Sequence, residues 1–265
     1  MERESCQMSG SQSDSGVITM EDLEAFSEEG HSDSAYNSNS SQEDEAEQER
    51  LLNYWQNVGR GHQVEVPRDM AEPIQQLTRN NRTSQEREIV PFRVISQKEK
   101  CGEILYEERL YEKAKWACIT VHEKQYEQSI CLGFMKLMRY ICEQNSTGTY
   151  LGLTIPIVTI VRTEESRAVL SQAVTVAYYL PLQFQDQPPQ PNDTEIMIQE
   201  WPTTIVYSRT FRGTTNEQSI LHEINMLAEA LDFSEICLED SFIVAGYTNP
   251  AARSRHNEIW FLRRV

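Results

Sequence analysis

Two stretches of this chain carry the same helical signature, and that repetition constrains the fold more than any other feature. Ile130, Phe134, Leu137 and Ile141 follow one another at spacings of four, three and four, and Ile220, Ile224, Leu227 and Leu231 repeat the series. Such spacing lines one face of a helix, so amphipathic helices are expected over about 126–143 and 216–231. Strand-like runs frame each: 104–111 and 114–122 before the first, 154–162 and 173–180 after it, then 195–200, 204–211, 242–247 and 258–263 around the second. Within 114–122, Trp116, Cys118 and Thr120 alternate with Ala117, Ile119 and Val121, the pattern of a strand partly covered on both faces. Thr215 with Gln218 three residues on reads as a capping box for the second helix. The body is therefore α+β, a β-β-α-β-β order used twice, with two flanking helices on an antiparallel, barrel-like sheet.

Charge separates a tail from this body. Residues 1–50 hold 14 acidic and 2 basic side chains, a net of −12 out of −17 for all 265 residues. A segment rich in Ser, Glu, Asp and Gln buries too little apolar area to offset chain entropy, so the organisation expected is a disordered acidic tail and linker over 1–88 and an ordered domain over 89–265. The short apolar patch 51–55, Leu-Leu-Asn-Tyr-Trp, is placed to dock on the body or on a partner; 56–88 reads as polar loop. An acidic chain without clustered Lys and Arg is a poor nucleic-acid binder. No apolar run reaches the roughly 20 residues of a membrane helix, and the first ten residues lack the apolar core of a signal peptide. The expected location is the cytoplasm, with the nucleus as the alternative. Six scattered cysteines form no C-x-x-C pair, which disfavours zinc ribbons and redox dithiols and favours buried thiols.

The first helix is the informative one. Beside its core stripe lies a second, Cys131, Met135, Met138 and Cys142, at the same spacing, and only Lys136 and Arg139 are charged between 130 and 142. A surface helix needs one apolar stripe, so something covers the other: a second core layer, a partner subunit, or a bound apolar ligand. Met adapts to flat, variable shapes, and Arg139 is placed to pair with a carboxylate at the edge.

Residues 102–264 resemble the SOUL/heme-binding-protein family. The resemblance is carried by Tyr106–Trp116 (YEERLYEKAKW), Gly133–Tyr140 (GFMKLMRY), Leu153–Ile157 (LTIPI), Leu180–Phe184 (LPLQF) with Pro188-Pro189, and Gly246-Tyr247 followed by Asn257–Trp260 (NEIW). It implies a distorted antiparallel β-barrel flanked by helices, and heme or a related tetrapyrrole bound as ligand in a shallow apolar cleft. Carried over position by position, the cofactor-binding residues are Cys131, Phe134, Met138 and Arg139, with Arg253 or Arg255 supplying a second cation from the loop 249–256. Two positions depart from the family. Cys131 stands where a relative can carry a basic residue, and Leu110 stands where some members carry a histidine proposed to ligate iron. Porphyrin binding here is thus expected through apolar contact and Arg–propionate pairing, with no metal-ligating residue assigned.

Nothing in the sequence points to catalysis. The nucleophile elbow, the P-loop, G-x-G-x-x-G and H-E-x-x-H are all missing. Glu107 and Glu108 are neighbours on a strand, so their carboxylates point to opposite faces and cannot act as an acid–base pair. For His122, His222 and His256 a surface or structural role is expected. Two other functions remain open: a protein-interaction module that has lost heme binding, engaging a partner through the acidic tail or through 221–233, and a pocket for another flat apolar ligand.

Overall fold

The computed structural model describes residues 40–83, 87–164, 166–213, 215–231, 237–247 and 256–263. The elements run α1 (Ser40–Gly61), α2 (Ala71–Thr83), β1 (Glu88–Ile89), β2 (Phe92–Lys100), β3 (Glu103–Tyr111), β4 (Ala114–His122), α3 (Tyr126–Ile141), β5 (Thr154–Ile155), β6 (Ile157–Arg162), β7 (Ala173–Tyr179), β8 (Met197–Trp201), β9 (Thr204–Arg212), α4 (Glu217–Ala230), β10 (Cys237–Tyr247) and β11 (His256–Arg263).

The sheet is antiparallel throughout, in the order β2-β3-β9-β11-β10-β6-β7-β4-β8. Its two repeats are interlocked. The inner three strands of each half come from one repeat, β11 and β10 with β9, and β6 and β7 with β4. The leading strands cross over: β3 of the first repeat pairs with β9 of the second, and β8 of the second pairs with β4 of the first. The halves meet at β10–β6, with Phe242 opposite Val161 and Val244 opposite Thr159. The sheet curls but ends in two free edges, β2 and β8, so the expected barrel is a half-barrel.

Period-2 alternation sorts the strand side chains to two faces. Ala117, Ile119, Val174, Val176, Tyr178, Phe242, Val244, Ile259 and Phe261 join the cluster that also holds α3 and α4. Their neighbours Trp116, Cys118, Ala177, Tyr179, Ile243, Ala245 and Trp260 form a separate cluster on the other face. The helix α4 starts at Asn216, whose side chain accepts from the Ser219 amide at 2.9 Å while Ser219 Oγ accepts from the Asn216 amide at 3.0 Å. The capping box therefore uses Asn216 and Ser219 in place of Thr215 and Gln218. Glu217 then occupies the first turn, where a carboxylate meets the positive end of the helix dipole.

The segment 40–83 departs most from expectation. Residues expected as tail and loop form two helices, so the described residues hold four α-helices where two were expected. On α1, Leu51 and Trp55 are fully buried and Val58 packs beside them; on and before α2, Met70, Ile74 and Leu77 are fully buried. These are helical spacings, four then three in both cases, and they close one apolar face per helix. Pro73 sits in the first turn of α2, where its missing N–H costs nothing. Polar ties hold the pair together: Arg79 reaches Asp44 and Glu47, and Gln75 Nε2 donates to the Asp44 carbonyl at 3.0 Å. Residues 1–39 lie outside the described residues.

Candidate functional site

Helix α3 lies across β4 and β7. Gly133 lets it approach closely: a Cβ there would come within 2.6 Å of Val176 Cγ2 and 3.5 Å of Ile119 Cγ2. At 100° per residue, Gly133 marks the sheet-facing side, and Cys131, Met135, Met138 and Cys142 stand on the opposite one. That opposite side is buried as completely as the first. Cys131 and Met138 have no exposed surface, and Met135 and Cys142 are buried too.

The cover is the N-terminal helical pair. Leu51, Trp55, Met70, Ile74 and Leu77 share one apolar cluster with the sulfur-bearing stripe of α3. Cys142 Sγ lies 3.5 Å from the Pro73 carbonyl oxygen, and Gln76 Nε2 donates to Glu143 Oε1 at 2.7 Å. Of the three candidates for covering this stripe, a second core layer is the one present, and the chain itself supplies it. Burial pushes the Cys118 thiol up to about 12 and raises that of Cys142 as well. Cys118, Cys131 and Cys142 are therefore packing groups, as expected; Cys101 departs from this, exposed in the turn between β2 and β3.

Arg139 sits at the edge of the covered stripe, in the last turn of α3. Its Nη2 donates to both oxygens of Asp69, each at 2.9 Å. Asp69 belongs to the short 3₁₀ turn, Arg68–Met70, that leads into α2. The Nε of Arg139 is buried and has no acceptor among the described residues. The guanidinium thus holds a carboxylate with one nitrogen and leaves half of its fork unused. Lys136, one turn back, pairs with Asp193 at 3.6 Å and with Glu195. Between these cations runs an open polar cleft, bounded by Asp69, Tyr140, Gln144, Asn192, Asp193 and Ile196.

Of the six expected ligand residues, the structure brings four together on α3: Cys131, Phe134, Met138 and Arg139. Phe134 lies on the core stripe, 2% exposed, and Cys131 and Met138 lie beneath the helical pair. Arg253 and Arg255 lie outside the described residues. Leu110 is on β3, five places along the sheet from β7 and therefore under the other half. Its position and the α3 stripe do not converge on one site. His122 and His222 are exposed. His256 approaches Glu258 at 3.5 Å and packs edge-on to Tyr247.

The opposite face of the sheet holds a cleft that the sequence did not reveal. Tyr111, Trp116, Tyr179, Trp201 and Trp260 line it with Val90, Ile243 and Leu262, and it opens to solvent. Trp116 stacks on Trp201 at 4.6 Å between ring centroids, and Tyr111 lies 4.8 Å from Trp260. Next to it is a buried ion pair. Arg109 Nη1 and Nη2 donate to the two Glu258 oxygens at 2.8 and 3.0 Å, and Trp260 Nε1 donates to Oε2 at 2.7 Å. Burial alone would raise the Glu258 carboxyl. Hydrogen bonds from His256 and Arg109, the Arg109 charge and the Trp260 bond outweigh it and hold the carboxyl at about 2. Glu107 and Glu108 part as the strand requires: Glu107 accepts from Arg109 Nε at 2.8 Å, and Glu108 pairs with Arg263 at 3.2 Å.

Among the described residues, no helix is long and apolar enough to cross a membrane. The model of the family described as SOUL heme-binding protein matches residues 87–262. Heme-binding protein 1 of Sus scrofa is 30% identical over 174 residues, which are 65% of this chain and 91% of that protein. Heme-binding protein 2 of Homo sapiens is 28% identical over 162 residues, 60% of this chain and 78% of that protein. Among solved structures, the EcmrR C-terminal domain covers 60% of this chain and 98% of its own at 12% identity, with a TM-score of 0.43, a likeness too loose to build on. In every one of these relatives the match leaves about a third or more of this chain unaccounted for, and the family segment begins at 87, after both N-terminal helices. With most of its length matched by the family model, the sheet and helices that the sequence pattern foretold are those of a member, and the chain belongs to the SOUL heme-binding protein family.

Proposed function

We propose that this chain binds heme or a related tetrapyrrole as a ligand, without performing chemistry on it, and acts as a carrier, buffer or sensor inside the cell. The observation that carries the reading is the outward side of α3. Four uncharged, sulfur-bearing side chains, Cys131, Met135, Met138 and Cys142, form one apolar strip with a guanidinium at its edge. Soft, adaptable side chains suit a flat macrocycle. Arg139, with one buried N–H lacking an acceptor, has capacity for a propionate that it does not use on Asp69. Arg253 or Arg255, just before β11 in the sequence, would supply the second cation. Leu110 offers no donor to iron, so binding rests on apolar contact and charge pairing. A protein partner, where one is engaged, would meet the acidic N-terminal residues.

Titration of the full chain with hemin tests this. A saturable absorbance shift at micromolar protein is expected, and Met138→Glu should abolish it, because an unpaired carboxylate against the macrocycle carries a steep desolvation cost. Absence of saturation would reject the reading and leave the interaction module in its place.

One observation favours a second reading. The Trp- and Tyr-lined cleft on the far face of the sheet has the flat, apolar character of a small-ligand site. Its indole and phenol walls suit a flat aromatic ligand. If hemin binding survives Met138→Glu but is lost in Trp201→Ala, the ligand belongs in this cleft.

A further inference from the structure

We infer that residues 40–83 are a displaceable cover over the porphyrin face, so that α1 and α2 hold the site shut in the free chain and leave α3 when ligand binds. The inference rests on the porphyrin reading above and concerns the regulation of that same site.

Three observations carry it. The first is steric. Cys131 and Met138 have no exposed surface, and Leu51, Trp55, Met70, Ile74 and Leu77 share their cluster. Ligand and cover cannot occupy this side of α3 together. The second is chemical likeness. The cover offers α3 an apolar surface with one carboxylate at its margin, Asp69 on Arg139. A porphyrin offers an apolar plate with carboxylates at its margin. The cover therefore satisfies the same groups that the ligand would, one for one, and competes for them. The third is the quality of the fit. Trp55 Nε1, in a fully buried ring, and Arg139 Nε both lack acceptors among the described residues. Buried donors without partners weaken the closed state. Opening returns the Trp55 N–H to water, and a propionate gives the Arg139 N–H an acceptor.

The polar ties between cover and body also lie at its rim. Asp69 is 61% exposed in its side chain, and an ion pair open to water adds little. The cover lies wholly before residue 87, where the family segment begins, and the other side of α3 packs on the sheet at Ile119 and Val176, away from the cover. A body that keeps its core when the cover leaves is what such a device needs.

Energetically, ligand binding must work against closure. Apparent affinity falls by the fraction of chains that are open. A cover closed about nine-tenths of the time or more weakens binding by about tenfold or more.

The test uses the full chain, hemin as the probe, and hydrogen–deuterium exchange as a readout besides affinity. In the wild type, hemin should raise exchange across 43–80 while amides of β4, β6, β7 and β10 stay protected. Met70→Asp with Ile74→Asp should loosen the cover before any ligand is added and lower the hemin Kd by about tenfold or more. Should that double variant unfold the sheet, Ile74→Ala serves: it removes a fully buried side chain of the cover alone, and a lower Kd is again expected. Saturable hemin binding with 43–80 equally or better protected overturns the cover and leaves the porphyrin reading intact. So does loosening of the cover with no gain in affinity. No hemin binding by any variant removes the porphyrin reading and the role of the cover with it.

Discussion

Arg109 and Glu258 show how one pair of residues can tie two distant parts of the chain. They are 149 positions apart, on β3 and β11, and both are buried. Breaking such a pair is costly because the remaining charge stays in the interior. Arg109→Met is expected to destabilise the fold by about 3–5 kcal/mol, read as a fall of roughly 10 °C in Tm. The pH dependence follows from Glu258. Its carboxyl is held down from 4.5 to about 2, so the folded state favours the ionised form more than the unfolded state does. That stability is fully present above pH 4.5 and is lost as pH falls through the window to about 2. It amounts to roughly 3 kcal/mol. The gap in stability between wild type and Arg109→Met should therefore narrow between pH 5 and pH 3, in urea titrations at each pH. A gap independent of pH would mean that Glu258 does not titrate with folding. The partnership was not legible in the sequence. Charged residues on strands read as solvent-facing, and only the pairing order β3-β9-β11 brings these two within reach.

At the scale of elements, α3 is legible in its spacing, and its close approach to the sheet explains Gly133. A glycine inside a helix costs about 1 kcal/mol relative to alanine. Here the added methyl would meet Val176 Cγ2 at 2.6 Å, and overpacking of this kind costs about 1–3 kcal/mol. The clash wins, so Gly133→Ala should lower stability despite the better helix propensity. Val176→Ala removes the atom that clashes, so the double variant should recover part of the loss; a double-mutant cycle in urea measures the coupling. Additive losses would show that the helix shifts without meeting Val176. The helices α1 and α2 teach the opposite lesson. Leu51, Trp55 and Val58, then Met70, Ile74 and Leu77, repeat a spacing of four and three, the same signal that revealed α3. Dense acidic and amide residues between them lower the mean hydropathy and mask that periodicity. The patch 51–55 was expected to dock on the body or on a partner, and docking on the body is what the structure has. The second stripe of α3 is the surface on which it docks, and each apolar face covers the other.

The molecule as a whole has two layers of different standing. The sheet's repeats exchange their leading strands, β3 and β8, so neither half is complete alone. Interlocked strands and a shared β10–β6 seam predict one cooperative unit. The N-terminal pair packs on one side of α3, with an exposed ion pair at its rim and, among the described residues, two buried donors lacking acceptors. Units with few buried contacts open at lower free energy than the core. In mild urea, amides across 43–80 should therefore exchange well before those of β6, β7, β10 and β11, with the sheet amides opening together. Ile74→Ala, which removes a fully buried side chain from the cover, should lower the urea at which 43–80 opens and leave the sheet transition where it was. A single transition shared by cover and sheet, moved as one by Ile74→Ala, would mean that the four helices and the sheet form one core. The cost of such a substitution in a packed core is about 2–5 kcal/mol. In a two-layer molecule that cost is confined to the outer layer, and a ligand that binds α3 gains what the cover loses.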